Sequence, residues 1–381
     1  MQERSKVFFP NLDGLRFLAF MFVFFSHSMG HFIETHLSGS VLLDDPMLFL
    51  FANGKMGVSV FFVLSGFLIT YLVLTEINTF KKLDVRAFYI RRTLRIWPLY
   101  FAVLFFAFAL YPLFQSFFAG QQDHSRPFYY IAFLSNFDVI RLQEAGLFQN
   151  LFLTVTWSIA IEEQFYLVWP LLFRFVPDSL YKFIFYGILA ASLLFLFLNI
   201  HREQVLHFHT FSAMFDLAAG GLAAYYAISS ERFVSFFSRM RGSTRITIYS
   251  TGILLLIFRN TLFSFEYGFI FQKLFGVLYF AFVILDQNFS SSSRMKLSKS
   301  AFMSKWGKYT YGLYLLHTIA LLIVSKAFII GGAGTGNGFP GTAAYTLISL
   351  LLSFLLAWPA YHYFEKYFLK LKARFSYITK E

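Results

Sequence analysis

The chain has 381 residues, 57% of them hydrophobic and 22% aromatic, with 14% charged and a mean hydropathy of +0.60. That composition belongs to a polytopic membrane protein and excludes an ordinary soluble enzyme. The net charge of +12 is spread over short loops between apolar stretches, which fits membrane orientation rather than nucleic acid, and the lack of cysteine excludes disulfides, thiolate metal sites and a cysteine acyl-enzyme.

The start, MQERSKVFFP, leads into the first apolar span with no small-residue cleavage site after it, and reads as a retained signal anchor. Within that span runs NLDGLRFLAFMFVFFSHSMGH, Asn11 to His31. Ten residues separate Arg16 from His27, so the two lie ~16 Å apart along the helix axis, about half a bilayer core. Ionisable groups inside a spanning helix are costly and usually face a protein interior, which makes both functional candidates. The plainer reading has Arg16 snorkelling to the headgroups and His27 in a packing hydrogen bond.

Ten spans are predicted, at 12–33, 56–75, 94–118, 157–176, 183–200, 210–228, 246–263, 268–286, 309–330 and 342–364, in one integral domain over 1–381. The fold class is all-α. Ten spans put both termini on one side, where 25 of the 32 Lys and Arg residues then fall, so both termini are predicted cytoplasmic. Only Lys55, Arg126, Arg141, Arg202, Arg259, Lys273 and Lys326 lie outside. The apolar piece Phe128 to Ile140, interrupted by Ser135, Asn136 and Asp138, is too short and polar for a span and is expected to be re-entrant or interfacial. Counting it as an eleventh would destroy the charge asymmetry.

The inner loop entering the third span, RAFYIRRTLRIWP, clusters Arg91, Arg92 and Arg95. Guanidinium forks suit phosphate oxygens, although positive-inside anchoring explains the charges equally well. In TWSIAIEEQFYLVWP, Ser158, Glu162 and Tyr166 stand at i, i+4 and i+8 on one helical face, with Glu163 beside them. Such a face is expected to line a cavity; the alternative is a pair of solvated acids at a helix start. His27 and Glu162 both fall in the outer half of the membrane, at depths where they can meet. The loop Gly331 to Gly341 has Gly336, Gly338 and Gly341 at GxGxxG spacing but opens no strand-to-helix unit, so it is expected to be a flexible connection. His27 with His31, and His207 with His209, have no carboxylate at ligand spacing, so no metal site is expected.

Together these stretches resemble the membrane-bound acyltransferase family 3. An Arg-x10-His signature fits Arg16 and His27, the second-span signature fits FFVLSGFLIT (Phe61 to Thr70), RxxR fits Arg92 and Arg95, and SxxxE fits Ser158 and Glu162 within WSxxxEEQFY. Weaker matches are FDLAAGG around Asp216 and Gly220, and YGLYLLH ending at His317. The resemblance implies a bacterial cytoplasmic-membrane enzyme that moves an acyl group, acetyl being expected, from cytoplasmic acyl-CoA to a hydroxyl of a surface or lipid-linked carbohydrate. It implies no permanently bound cofactor. Arg92 and Arg95, with Arg16, would hold the CoA phosphates, and His27 would be the general base or else be acylated itself. Glu162 with Ser158 would orient the imidazole or the acceptor. His317 has no carboxylate partner evident in the sequence and is expected to matter less. Phe17 departs from the glycine many members have after the arginine, and the hydrolase-like domain appended in some members is missing, so a fused second transfer step is not expected. Two readings from other classes are a secondary transporter with a His/Glu/Arg pathway and a non-catalytic assembly component.

Overall fold

The computed structural model describes residues 5–6, 9–36, 53–114, 122–290, 295–331, 338–376 and 378–379. A long helix falls in each of the ten predicted ranges: α1 (Pro10–His36), α2 (Gly54–Phe80), α3 (Val85–Phe105), α4 (Thr156–Phe175), α5 (Tyr181–Leu198), α6 (Thr210–Ser229), α7 (Gly242–Ile257), α8 (Gly268–Phe289), α9 (Thr310–Ile330) and α10 (Gly338–Pro359); residues 115–118 of the third range lie outside the described residues. Among the described residues eight helical stretches are long and apolar enough to cross a membrane. The two outside that set are α4, which carries Glu162, Glu163 and Arg174, and α7, which has 16 residues.

Two boundaries differ from expectation for local reasons. The Asp84 carboxylate accepts the Ala87 backbone N–H at 2.8 Å and starts α3 at Val85, so the arginines expected in a loop ride on the first turns of a helix. At the other end of the chain, α10 begins at Gly338, so Gly338 and Gly341 are helical rather than part of a flexible connection; Gly336 lies outside the described residues. Pro340 sits in that first turn, where its missing N–H costs nothing.

The molecule is arranged around α1, which packs against α2, α8, α9, α10 and the short helix Ala301–Gly307. Phe17 is buried there, meeting Phe302 and Phe354 at ring-centroid distances of 5.5 and 6.4 Å, so this departure fills the contact of α1 with α10. Helices α2 and α6 pack with their backbones close together. A Cβ on Gly66 would run into the Leu217 carbonyl and one on Gly220 into the Val63 carbonyl, so glycine at both positions is what brings the two backbones together.

The segment Phe128 to Ile140 is no single helix. It breaks at Phe133, whose φ is 55°, between the short helices Pro127–Ile131 and Ser135–Glu144. The polar residues that argued against a span are buried in protein. Asp138 pairs with Arg141 at 2.7 Å, and Asn136 donates to the Phe208 carbonyl and the Thr210 hydroxyl at 3.1 Å each. Gln164 on α4 closes this network, donating to the Phe133 carbonyl at 2.8 Å and to the Asn136 side chain at 2.9 Å. Non-helical backbone is thus satisfied by neighbouring helices. At the chain ends, Ser5–Lys6 pairs in parallel with Ile378–Thr379, so the two ends lie side by side.

Candidate active site

Helix α1 presents Phe20, Phe24 and His27 on one face, and all three rings contact His317 of α9. His27 Nδ1 lies 2.9 Å from His317 Nε2. The two ring planes are 7° apart with centroids 5.2 Å apart, a separation that the bonded nitrogens largely account for, so the imidazoles meet edge to edge. His317 is fully buried, and its Nδ1 stands 2.9 Å from the Tyr314 carbonyl and 3.2 Å from that of Leu313. Carbonyls only accept, so His317 Nδ1 carries a proton, and in the neutral ring its Nε2 is an acceptor. His27 must then donate from Nδ1, which leaves the lone pair of a neutral His27 on Nε2. The partner of His27 is therefore a second histidine, and not Glu162. An intramembrane histidine is itself a site candidate, and the final residue of YGLYLLH carried that signal.

The arginines separate into paired and unpaired. Arg91 donates to Glu76 and to the Phe375 carbonyl, each at 2.9 Å, and Arg16 pairs with Asp13 at 2.7 Å. Arg92 lies over the rings of Phe88 and Tyr166, at 5.8 and 5.5 Å, and its buried Nε makes no hydrogen bond. Neither Arg92 nor Arg95 has a carboxylate within ion-pair distance among the described residues. Holding such cations half-buried is costly unless an anion comes to them.

Glu162 accepts from Ser65 at 2.7 Å and from Tyr166, one turn away on α4, at 2.9 Å. Ser158 meets the Tyr314 hydroxyl at 2.7 Å and donates to the Val155 carbonyl. Ser158 and Glu162 share a face as expected but bond to different helices. Glu163 points elsewhere, accepting from Trp97 at 2.9 Å.

Three cavities connect these groups. A basic one of ~230 Å³ is lined by Arg91, Arg92, Arg95, Glu76 and, from the C-terminal helix Lys366–Ala373, Lys372, which sequence reasoning missed. Arg16, Leu68, Arg92 and Arg95 are shared with a central cavity of ~120 Å³ that holds Ser65, Glu162, Tyr166, Ser158 and Tyr314. Val58 and Phe62 are shared in turn with a third cavity of ~330 Å³. Arg16 and Glu162 thus line one space. His27 lines none of the three and connects only to the central one, through His317 and Tyr314.

Two arginines without a carboxylate partner stand at one end of a file of cavities, and a hydrogen-bonded pair of buried histidines stands beside it. A family model described as an acyltransferase domain matches residues 9–360, and the chain belongs to that family, membrane acyltransferase family 3. It is 28% identical over 345 residues to peptidoglycan O-acetyltransferase OatA of Listeria monocytogenes, an alignment covering 82% of this chain and 49% of that protein. It is 27% identical over 387 residues to the putative peptidoglycan O-acetyltransferase YrhL of Bacillus subtilis (94% and 54%), and 27% over 383 residues to O-acetyltransferase OatA of Staphylococcus aureus (95% and 57%). The chain spans about half the length of these curated relatives. No solved structure matches it.

Proposed function

We propose that the chain is a transmembrane O-acyltransferase of the bacterial cytoplasmic membrane, carrying an acetyl group from acetyl-CoA at its inner face to a hydroxyl of a surface or lipid-linked glycan outside. All ten long helices span the bilayer in this reading and form one domain with both termini cytoplasmic. The charge asymmetry of the loops and the parallel pairing of the two chain ends support that orientation.

Arg92 and Arg95, aided by Lys372, bind the CoA phosphates, and Arg16 follows at the neck between the basic and central cavities. The pantetheine arm runs up the central cavity, where Glu162 and Ser158 offer hydrogen-bond partners to its amides. Arg16 and His27 are ~16 Å apart on α1, a span that an extended arm bridges. His27 Nε2 removes the proton of the acceptor hydroxyl while the oxygen attacks the thioester carbonyl. The C–S bond then breaks, and the CoA thiolate takes the proton from the imidazolium. His317, holding the Nδ1–H, keeps His27 in the tautomer this step uses. The observation that carries the reading is the edge-to-edge His27–His317 pair with its tautomers set by the Tyr314 carbonyl. The experiment is release of free CoA from acetyl-CoA by purified protein in the presence of glycan acceptor. The rate should vanish in His27→Ala while membrane insertion is kept, and full activity in that variant would remove the base assignment.

A further inference from the structure

The third cavity is not used by the donor, and its charge is unexpected for its side of the membrane. Charge asymmetry leaves only seven Lys and Arg residues on the outer side, and three of them, Lys55, Arg259 and Lys273, line this one space. They reach it from different elements, namely the first turn of α2, the short helix Arg259–Leu262 and α8. Orientation in the membrane asks for no cations here, and packing does not ask for three in one hollow.

Their partners separate them. Lys273 is matched by Asp216, fully buried on α6, at 2.5 Å, and Ser59 donates to the same carboxylate. Lys55 reaches Glu203 at 3.6 Å, but both side chains are more than half exposed at the rim, and such a contact binds little. Arg259 makes no ion pair among the described residues; its guanidinium donates to the side-chain oxygen of Asn53, a neutral amide. Asp216, the one carboxylate in the lining, is already taken. The cavity therefore carries an excess of positive charge at Arg259 and Lys55. Its volume of ~330 Å³ is that of a small-molecule site, and Trp157 supplies an aromatic wall of the kind sugar rings pack on.

We propose that the outer cavity holds the anionic part of an acceptor glycan, with Arg259 and Lys55 on an oxyanion and Trp157 against a sugar ring, while the hydroxyl that reacts at His27 lies outside this cavity. The assignment rests on the acyltransferase reading for its role, but not for its test, which needs no donor. Carboxylate and phosphate are the same chemistry to these two cations, one belonging to an acidic sugar and the other to a glycan still attached to its lipid phosphate.

The purified full chain in detergent is titrated with N-acetylglucosaminyl-N-acetylmuramic acid, with N-acetylglucosamine phosphate and with neutral diacetylchitobiose, following tryptophan emission. At least one anionic probe should bind about tenfold or more tightly than chitobiose. The carboxylate responding points to an acidic sugar and the phosphate responding to a lipid-linked glycan, and either supports the site. The preference should fall by most of that factor in Arg259→Gln and in Lys55→Gln. The second change is in an exposed side chain that the fold does not need. Arg202→Gln removes a charge from the same side but outside the cavity and should leave the preference intact. Equal affinity for chitobiose, no binding of either anion, a preference surviving the Arg259→Gln, Lys55→Gln double variant, or a signal persisting in Trp157→Phe would each overturn the proposal. Anion binding without any acyl transfer would instead count against the acyltransferase reading alone.

Discussion

Replacing His317 with phenylalanine keeps a planar ring in the buried slot between Phe20, Phe24 and Tyr314 but removes the nitrogen that accepts from His27 Nδ1. A buried donor left without its partner costs ~1 to 3 kcal/mol. In the proposed reaction that cost falls on the tautomer in which His27 acts as base, so the barrier rises by a comparable amount. At 1.4 kcal/mol per factor of ten, turnover should drop roughly fivefold to a hundredfold. His317 lines neither of the cavities proposed for the donor, so the acyl-CoA KM should barely move. His317→Gln, whose amide oxygen can accept from Nδ1–H, should recover part of the loss. The assay is steady-state CoA release in detergent, separating kcat from KM. Wild-type turnover in His317→Phe, or a loss confined to KM, would refute the assignment of His317 as the residue that positions His27.

Donor binding tests the unpaired arginines. Arg92→Gln or Arg95→Gln should raise the acyl-CoA KM about tenfold or more and leave the acceptor KM unchanged, because each removes a charge-assisted pair. Arg91→Gln should have a smaller effect, since Arg91 is already neutralised by Glu76. In the α2–α6 contact, Gly220→Val forces side-chain atoms into the Val63 carbonyl, which belongs to a helix backbone and cannot swing aside. The expected loss is ~1 to 3 kcal/mol or more, read as a lowered thermal midpoint in detergent, and an unchanged midpoint would show that the helices are not so close. For orientation, single cysteines at exposed positions 82 and 122 in this cysteine-free chain should behave oppositely toward an impermeant maleimide applied from outside. Position 122 is labelled and 82 is not; the reverse would overturn the topology.

Hydropathy located the ten long helices because each apolar face must be buried or face lipid, and that demand is written locally in every helix. Local reading failed at the start of α3, where the Arg-rich first turns look unlike a membrane helix although Asp84 caps them into one. The face shared by Glu162 and Tyr166 was legible from i, i+4 spacing, and the 2.9 Å bond between them bears it out. What lay beyond reach was pairing across the chain. His27 and His317 are 290 residues apart, and equal depth in the membrane suggested Glu162 as a partner when rotation of the helices about their axes had brought another histidine there. The division of Arg91 from Arg92 and Arg95 was hidden for the same reason, since it depends on Glu76 of a different helix.

In the proposed reaction one protein carries an acyl group from a donor on one side of the membrane to an acceptor on the other. Sealed proteoliposomes of fixed orientation, loaded with acetyl-CoA on the cytoplasmic side and given glycan only on the opposite side, test it most directly. Acetylated glycan should appear outside and free CoA inside in matched amounts, with both lost in His27→Ala. Product that forms only when glycan and acetyl-CoA share one compartment would contradict the proposed reaction.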